Sequence, residues 1–265
     1  MSVILAIWGQ EKTGKTTLAL SAPKPIRYFE FDIGGYDRAK DGQGVKKLGI
    51  DMSKVIHSLH LMPLQAQIKL LTPTVKGAME SKLVIGMKEL WYSYLTQYIT
   101  ALDQPDIQTI VLDTFTVVWE ICGMAYLQEK QEGQFDSSGK LPPSERIREQ
   151  LKQIEYKEPN TRMRAILYLA KSKKKNLILV HHARDGYISQ INADGRREDV
   201  RSGKQELAGW GYIGDIADVI VRTDWKSEPN TTITLCGLAP KATGIEIENA
   251  TYDDIFKRVN FIRMS

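Results

Sequence analysis

The sequence has only two cysteines in 265 residues, Cys122 and Cys236, too few for a disulfide framework and without the spacing of a structural metal site. Both lie in apolar segments, so the expectation is two buried thiols in a reducing compartment. No apolar run approaches the length of a membrane span, and the chain enters an apolar strand directly after its first residues, leaving no room for a signal or transit peptide. A cytoplasmic protein with no membrane partner is therefore expected. There is also no strong excess of one charge. The formal net charge of +4 permits a nucleic-acid partner without demanding one. Internal repeats are absent and the polar stretches are loop-sized, which points to a single domain over residues 1–265.

Hydrophobic residues make up 42% of the chain and charged residues 26%, ordinary values for a globular fold with a sizeable core. Short β-rich runs alternate with helical patterns, the mark of a sheet with crossover helices. Strands are expected at residues 3–8, 26–31, 55–62, 107–112 and 176–180, then 216–222 and 231–238. Helices are expected at 15–21, 88–103 and 115–130. Two more follow a polar loop at 131–143: one presenting Ile147, Leu151 and Ile154 on a face, the other starting near Thr161 after Pro159-Asn160. A tail helix is expected near 252–259.

Directly after the first strand stands Gly9-Gln10-Glu11-Lys12-Thr13-Gly14-Lys15-Thr16-Thr17, which satisfies G-x-x-x-x-G-K-[ST] in full. Chance produces the pattern in roughly one chain in a hundred of this length, and its place between a strand and a helix makes a stray glycine turn a poor account. Gly9 and Gly14 let consecutive N–H groups surround phosphates, and the following helix directs its positive end at the same anion. Lys15 is placed for the β and γ phosphates and the Thr16 hydroxyl for Mg²⁺. A nucleoside triphosphate ligand is expected.

In open α/β sheets functional side chains gather where strands end. Asp113, ending the 107–112 strand, matches the carboxylate that supports Mg²⁺, with a simple cap of the next helix as the alternative. Glu30 and Asp32 alternate at the end of the second strand and share a face. One of them near the γ-phosphate would orient an attacking water, Asp32 being the first choice, with loop-edge charges as the bland alternative. His181 and His182 end the 176–180 strand, where one could contact the γ-phosphate or both could be structural. The basic run 171–175 precedes that strand and so belongs to the opposite edge of the sheet, complementing a helix C-terminus.

These residues resemble a known group. The loop 9–17, with Glu11 at its third position, Asp113-Thr114 and the strand-end His181-His182 are similar to the RecA-like recombinases. More closely, residues 30–35, His182, residues 214–220 and the tail Thr251-Tyr252-Asp253-Asp254-Ile255 resemble the phage nucleotide-binding AAA-type family, some of whose members are single-strand annealing or recombination proteins. The resemblance implies an α/β RecA-like P-loop fold: a mostly parallel central sheet flanked by helices, with a C-terminal β-hairpin extension. It implies an ATPase using ATP and Mg²⁺, with Lys15 and Thr16 on the nucleotide, Asp113 on the metal, Asp32 or Glu30 on the water and His182 sensing the γ-phosphate. The family's acidic pair reads Asp-x-Glu, whereas here it is Glu30-x-Asp32.

The same resemblance implies single-stranded DNA as partner, in phage recombination, annealing or replication within a host cytoplasm. It also implies head-to-tail homo-oligomers in which Lys241 reaches a neighbour's nucleotide, and admits a single-strand DNA-binding protein as a further partner. The DNA path would run past residues 131–143 and 183–211. The latter carries Arg184, Arg196, Arg197, Arg201 and Lys204, with Tyr187 and Trp210 for stacking. Acidic neighbours nearly cancel that charge, and a solvated hairpin turning at Asn192-Ala193-Asp194-Gly195 accounts for the same residues without DNA. Two rival functions stand beside this one: a P-loop small-molecule or nucleotide kinase with residues 183–211 as its lid, and a non-catalytic ATP-binding loader of a replication partner.

Overall fold

A computed structural model of the chain describes residues 2–63, 83–135, 139, 147–191, 194 and 196–264. Its frame is a sheet in the order β3-β2-β4-β5-β1-β7-β8-β9, with β6 paired to β5 off that path. The strands are β1 (Ile4–Gly9), β2 (Ile26–Glu30), β3 (Val55–Leu59), β4 (Thr109–Asp113), β5 (Asn176–Ile191), β6 (Arg197–Leu207), β7 (Val219–Trp225), β8 (Pro229–Cys236) and β9 (Glu246–Glu248). From β3 across to β7 every pairing is parallel, and β7–β8–β9 continue antiparallel. This is the expected α/β RecA-like fold with its hairpin extension.

Helices cover both faces: α1 (Lys15–Leu20), α2 (Gly35–Asp41), α3 (Gln43–Lys47), α4 (Met87–Asp103), α5 (Phe115–Glu132), α6 (Lys157–Ser172), α7 (Ile213–Ile216) and α8 (Tyr252–Met264). The alternation of the strands divides the core in two. Ile4, Ala6, Trp8, Phe29, Ile110, Leu112, Leu177 and Leu179 join Trp91, Tyr94, Tyr98, Val118, Ile121 and Ile166 under α4, α5 and α6. Leu5, Ile7, Tyr28, Val111, Ile178, Val180 and Val221 pack on the other face with Leu18, Tyr36, Ile255 and Phe256 from α1, α2 and α8. Both faces are buried, and so the inner strands read as continuous apolar runs rather than alternating ones.

Three local expectations are corrected. No helix forms around Ile147, Leu151 and Ile154: a 3₁₀ turn occupies Gln153–Tyr156, and of the three only Leu151 joins the core while Ile154 is 82% exposed, so they form no apolar stripe to dock a helix. The following helix begins at Lys157 rather than near Thr161. Pro159 is accommodated within its first turn, where a backbone N–H has no intrahelical acceptor. The 176–180 strand runs on to Ile191 and turns back as β6, so most of the expected polar segment is a β-ribbon. Within the proposed turn, residues 192, 193 and 195 lie outside the described residues, as do 136–138 and 140–143 of the expected 131–143 loop. Cys122 and Cys236 are buried free thiols, as expected.

Candidate nucleotide site

The strand order places the carboxyl ends of β1, β2, β4, β5 and β7 along one edge, above a cleft of about 560 Å³. The loop from β1 to α1 forms its floor. Gly9 is demanded by close approach: with φ +154°, a Cβ there would stand 2.2 Å from the Thr223 carbonyl oxygen. Thr13 Oγ1 and Thr223 Oγ1 share a 2.7 Å hydrogen bond, and Thr13 also donates to Gln10 O at 2.8 Å, so the loop is tied both to β7 and to itself. The buried Lys15 Nζ donates to Gly9 O at 2.9 Å and to Gln10 O. Burial lowers the Lys15 pKa from its ordinary value, opposed by the negative charges of Asp113, Glu11 and Asp32.

Thr16 Oγ1 donates to Asp113 Oδ2 at 2.8 Å, joining residues 97 apart in the chain. Asp113 is therefore not the helix cap; Thr114 takes that place, its hydroxyl accepting from Val117 N–H at 3.3 Å. The Asp113–Thr114 peptide is cis. The Tyr28 hydroxyl donates to the same Asp113 oxygen. Burial raises the Asp113 pKa from the ordinary carboxylate value. Tyr28, Thr16 and Lys15 oppose that shift, and Glu30, its direct partner in the β2–β4 register, adds to it.

Glu30 and Asp32 both line the cleft but in different surroundings. Glu30 is buried, with Oε1 accepting from Tyr36 N–H at 2.9 Å and Oε2 lying 2.7 Å from His57 Nε2. The His57 ring stacks on Tyr36, with centroids 4.0 Å apart. Asp32 stands beyond the end of β2 and is half-exposed. Its Oδ1 accepts from Ile33 N–H, and its Oδ2 is 3.7 Å from His182 Nε2.

The tandem histidines part because side chains alternate along a strand. His182 faces the cleft, its Nε2 3.4 Å from Thr114 Oγ1 and its N–H donating to Thr116 Oγ1 at 3.1 Å. His181 points into the opposite core against Phe115, its Nδ1 3.0 Å from Ala208 O and its buried Nε2 without a hydrogen-bond partner among the described residues. Burial brings its pKa down to about 4.

Of the residues expected from sequence, Glu11, Lys12, Thr13, Gly14, Lys15, Thr16, Thr17, Glu30, Asp32, Asp113 and His182 line one cleft, and the carbonyls of Gly9 and Gln10, in the same loop, accept from Lys15. Lys241 is exposed and does not line it. Arg184, Arg197, Arg201 and Lys204 lie on the β5–β6 ribbon, with Arg196 at the start of its return strand. Trp210 is withdrawn as a stacking surface: it is fully buried, with Nε1 donating to Asn160 Oδ1 at 2.8 Å. Sequence reasoning missed Tyr28 and His57. Tyr28 read as one more apolar strand residue; its two-residue spacing from Glu30 was the available signal.

A family model described as an AAA domain matches residues 1–241. No curated protein matches the chain significantly. Among solved structures, a KaiC-like protein, PH0186, from the hyperthermophilic archaeon Pyrococcus horikoshii OT3 is similar over 87% of this chain and 77% of its own, at 11% identity and a TM-score of 0.41. No helix among the described residues is long and apolar enough to cross a membrane.

Proposed function

The chain belongs to the AAA domain family, and from that premise we propose that it binds ATP with Mg²⁺ in this cleft and hydrolyses it. The observation that supports this best is the 2.8 Å bond from Thr16 to Asp113, which brings the phosphate loop and the end of β4 to one point. A hydroxyl and a carboxylate are hard oxygen donors of the kind magnesium takes alongside water and phosphate. No group of three or more His, Cys, Asp or Glu among the described residues forms a cage for a metal by itself, which fits an ion shared with its nucleotide. Bound there, the ion would neutralise charge on the β and γ phosphate oxygens.

Lys15 exchanges its loop carbonyls for phosphate oxygens. Glu30 has both oxygens engaged and holds the end of β2 in place, while Asp32 keeps an oxygen directed toward His182 and orients the attacking water. His182 contacts the γ-phosphate and reports its loss along β5.

The partner we infer is single-stranded DNA on the β5–β6 ribbon, in recombination, annealing or replication. Register supports one face for it: Tyr187 lies opposite Arg201, and Ile191 opposite Arg197, all four on the same side. Arg201 also pairs with Asp185 at 3.4 Å and Arg184 with Glu206 at 3.7 Å, so DNA must displace internal partners. Head-to-tail assembly, with Lys241 completing a neighbour's site, belongs to the same proposal.

ATP turnover measured with and without single-stranded DNA tests the reading. Wild type is expected to turn over faster with DNA, and Lys15→Ala to lose ATP binding while keeping its thermal unfolding transition. Tight binding with no turnover in either condition would favour a loader, and phosphoryl transfer to an added nucleoside with no DNA effect would favour a kinase.

A further inference from the structure

The cleft has two ends. One gathers Asp113, Glu30, Asp32 and His182; the other, beyond Thr17, is lined by Leu48, Trp225, Pro229 and Asn249. With the metal-supporting carboxylate at the first end, a triphosphate threaded along the loop points its nucleoside toward the second. We propose that this second end is an adenine site, in which the Trp225 indole stacks on the base and the Asn249 carboxamide reads its edge. The proposal rests on the ATP reading above.

Trp225 is 61% exposed and makes no ring contact among the described residues, an unusual position for the largest apolar side chain. Its direction is fixed by β7: Thr223, two residues earlier, binds the phosphate loop, so Trp225 faces the same cleft. Across the β7–β8 hairpin its register partner is Pro229, whose Cβ lies 3.6 Å from where a Cβ on Gly14 would stand. The hairpin end is thereby seated on the phosphate loop. Asn249 is held to it by a 2.8 Å bond from its N–H to Pro229 O, in a left-handed conformation with φ +47°. Its carboxamide makes no hydrogen bond among the described residues. From the opposite wall α3 closes on Thr17, where a Cβ on Gly44 would come within 3.1 Å of Thr17 Cγ2, and Lys47 reaches across to Glu228 at 2.9 Å.

The chemistry selects the base. A carboxamide presents a donor and an acceptor side by side, which match adenine N7 and the N6 amino group, whereas guanine offers two acceptors, O6 and N7. An indole overlaps a bicyclic purine over most of its area, and losing one base–aromatic stack costs on the order of tenfold in affinity.

Calorimetry with ATP, GTP and inorganic tripolyphosphate, each with Mg²⁺, on wild type, Trp225→Ala and Asn249→Gly tests this. Glycine keeps the left-handed backbone at 249 without strain. Wild type is expected to bind ATP about tenfold more tightly than GTP. Trp225→Ala should weaken ATP about tenfold and leave tripolyphosphate unchanged, and Asn249→Gly should bring the ATP-to-GTP ratio close to one. Unchanged ATP affinity in Trp225→Ala, or a parallel loss of tripolyphosphate, overturns the base site while leaving the phosphate site standing. No binding of any of the three ligands to folded wild type overturns the ATP reading, and the base site with it.

Discussion

The inner part of β5, residues 176–181, lies between β4 and β1 with every side chain from Leu177 to His181 buried, whereas its outer part, residues 184–191, leaves the sheet and pairs with β6 alone among the described residues. One strand thus passes from the most constrained place in the molecule to one of the least. In the inner part each residue is held by backbone bonds on two sides and by side-chain packing on two faces, so a single polar residue has large consequences. In the outer part the ladder is one-sided, and Tyr187, Ile188 and Ile191 are 55%, 53% and 72% exposed. Residues are placed there by register and by exposed pairs such as Arg201 with Asp185. The boundary between these regimes falls at His182, beside the cleft.

The contrast breaks most visibly at the buried end. Asp113→Asn keeps the shape but removes the charge, and Mg²⁺-dependent turnover is expected to fall on the order of 100-fold, with Tyr28→Phe about tenfold weaker in the Mg²⁺ concentration it needs. Steady-state turnover across a Mg²⁺ titration measures both. Wild-type turnover in Tyr28→Phe would mean that its bond to Asp113 is only packing.

His181 gives the next largest effect, on stability. Its pKa is held near 4 in the fold against about 6.5 when unfolded, so between those values the unfolded chain takes up the proton first. The stabilisation is complete above the unfolded value and is lost as pH falls toward 4, on the order of 3 kcal/mol. Urea unfolding over a pH series is expected to show His181→Leu flatter than wild type by about that amount across this window. His60, also lowered to about 4 by burial, keeps the remaining slope in both proteins.

The ribbon is expected to give the smallest stability effect and so to sharpen the comparison. Arg197→Ala with Arg201→Ala should shift unfolding by less than about 1 kcal/mol, since exposed ion pairs contribute little. The same variant should weaken single-stranded DNA binding and reduce its salt dependence by about one unit of slope for each phosphate no longer neutralised, read by fluorescence anisotropy. Unaltered DNA affinity would remove the ribbon from the proposed path.

Much of the candidate cleft's lining was legible because its signals are local. The phosphate loop needs glycines, a lysine and a threonine at fixed offsets, and Asp113 and His182 announce themselves by ending apolar runs. What stayed hidden was non-local or averaged away. Tyr28 reads as a β-former until Asp113 is known to stand beside it, and the stripe of Ile147, Leu151 and Ile154 could not show that Ile154 is left exposed. Trp210, glycine-flanked in sequence, is buried in the core cluster under α4, α5 and α6, its Nε1 donating to Asn160 Oδ1.

By itself the sequence determined where the phosphate loop lies, which apolar runs form the parallel strands, and that polar side chains gather at their ends, because backbone freedom at glycine and period-two burial are properties of neighbouring residues. Only the tertiary structure decided that Thr16, Tyr28 and Asp113 share one oxygen, that His181 is buried while His182 faces the cleft, and that Trp225 lines the same cleft. Those partnerships follow from the order in which strands are laid side by side, which is settled by packing two whole faces at once and leaves no trace in any short stretch of chain.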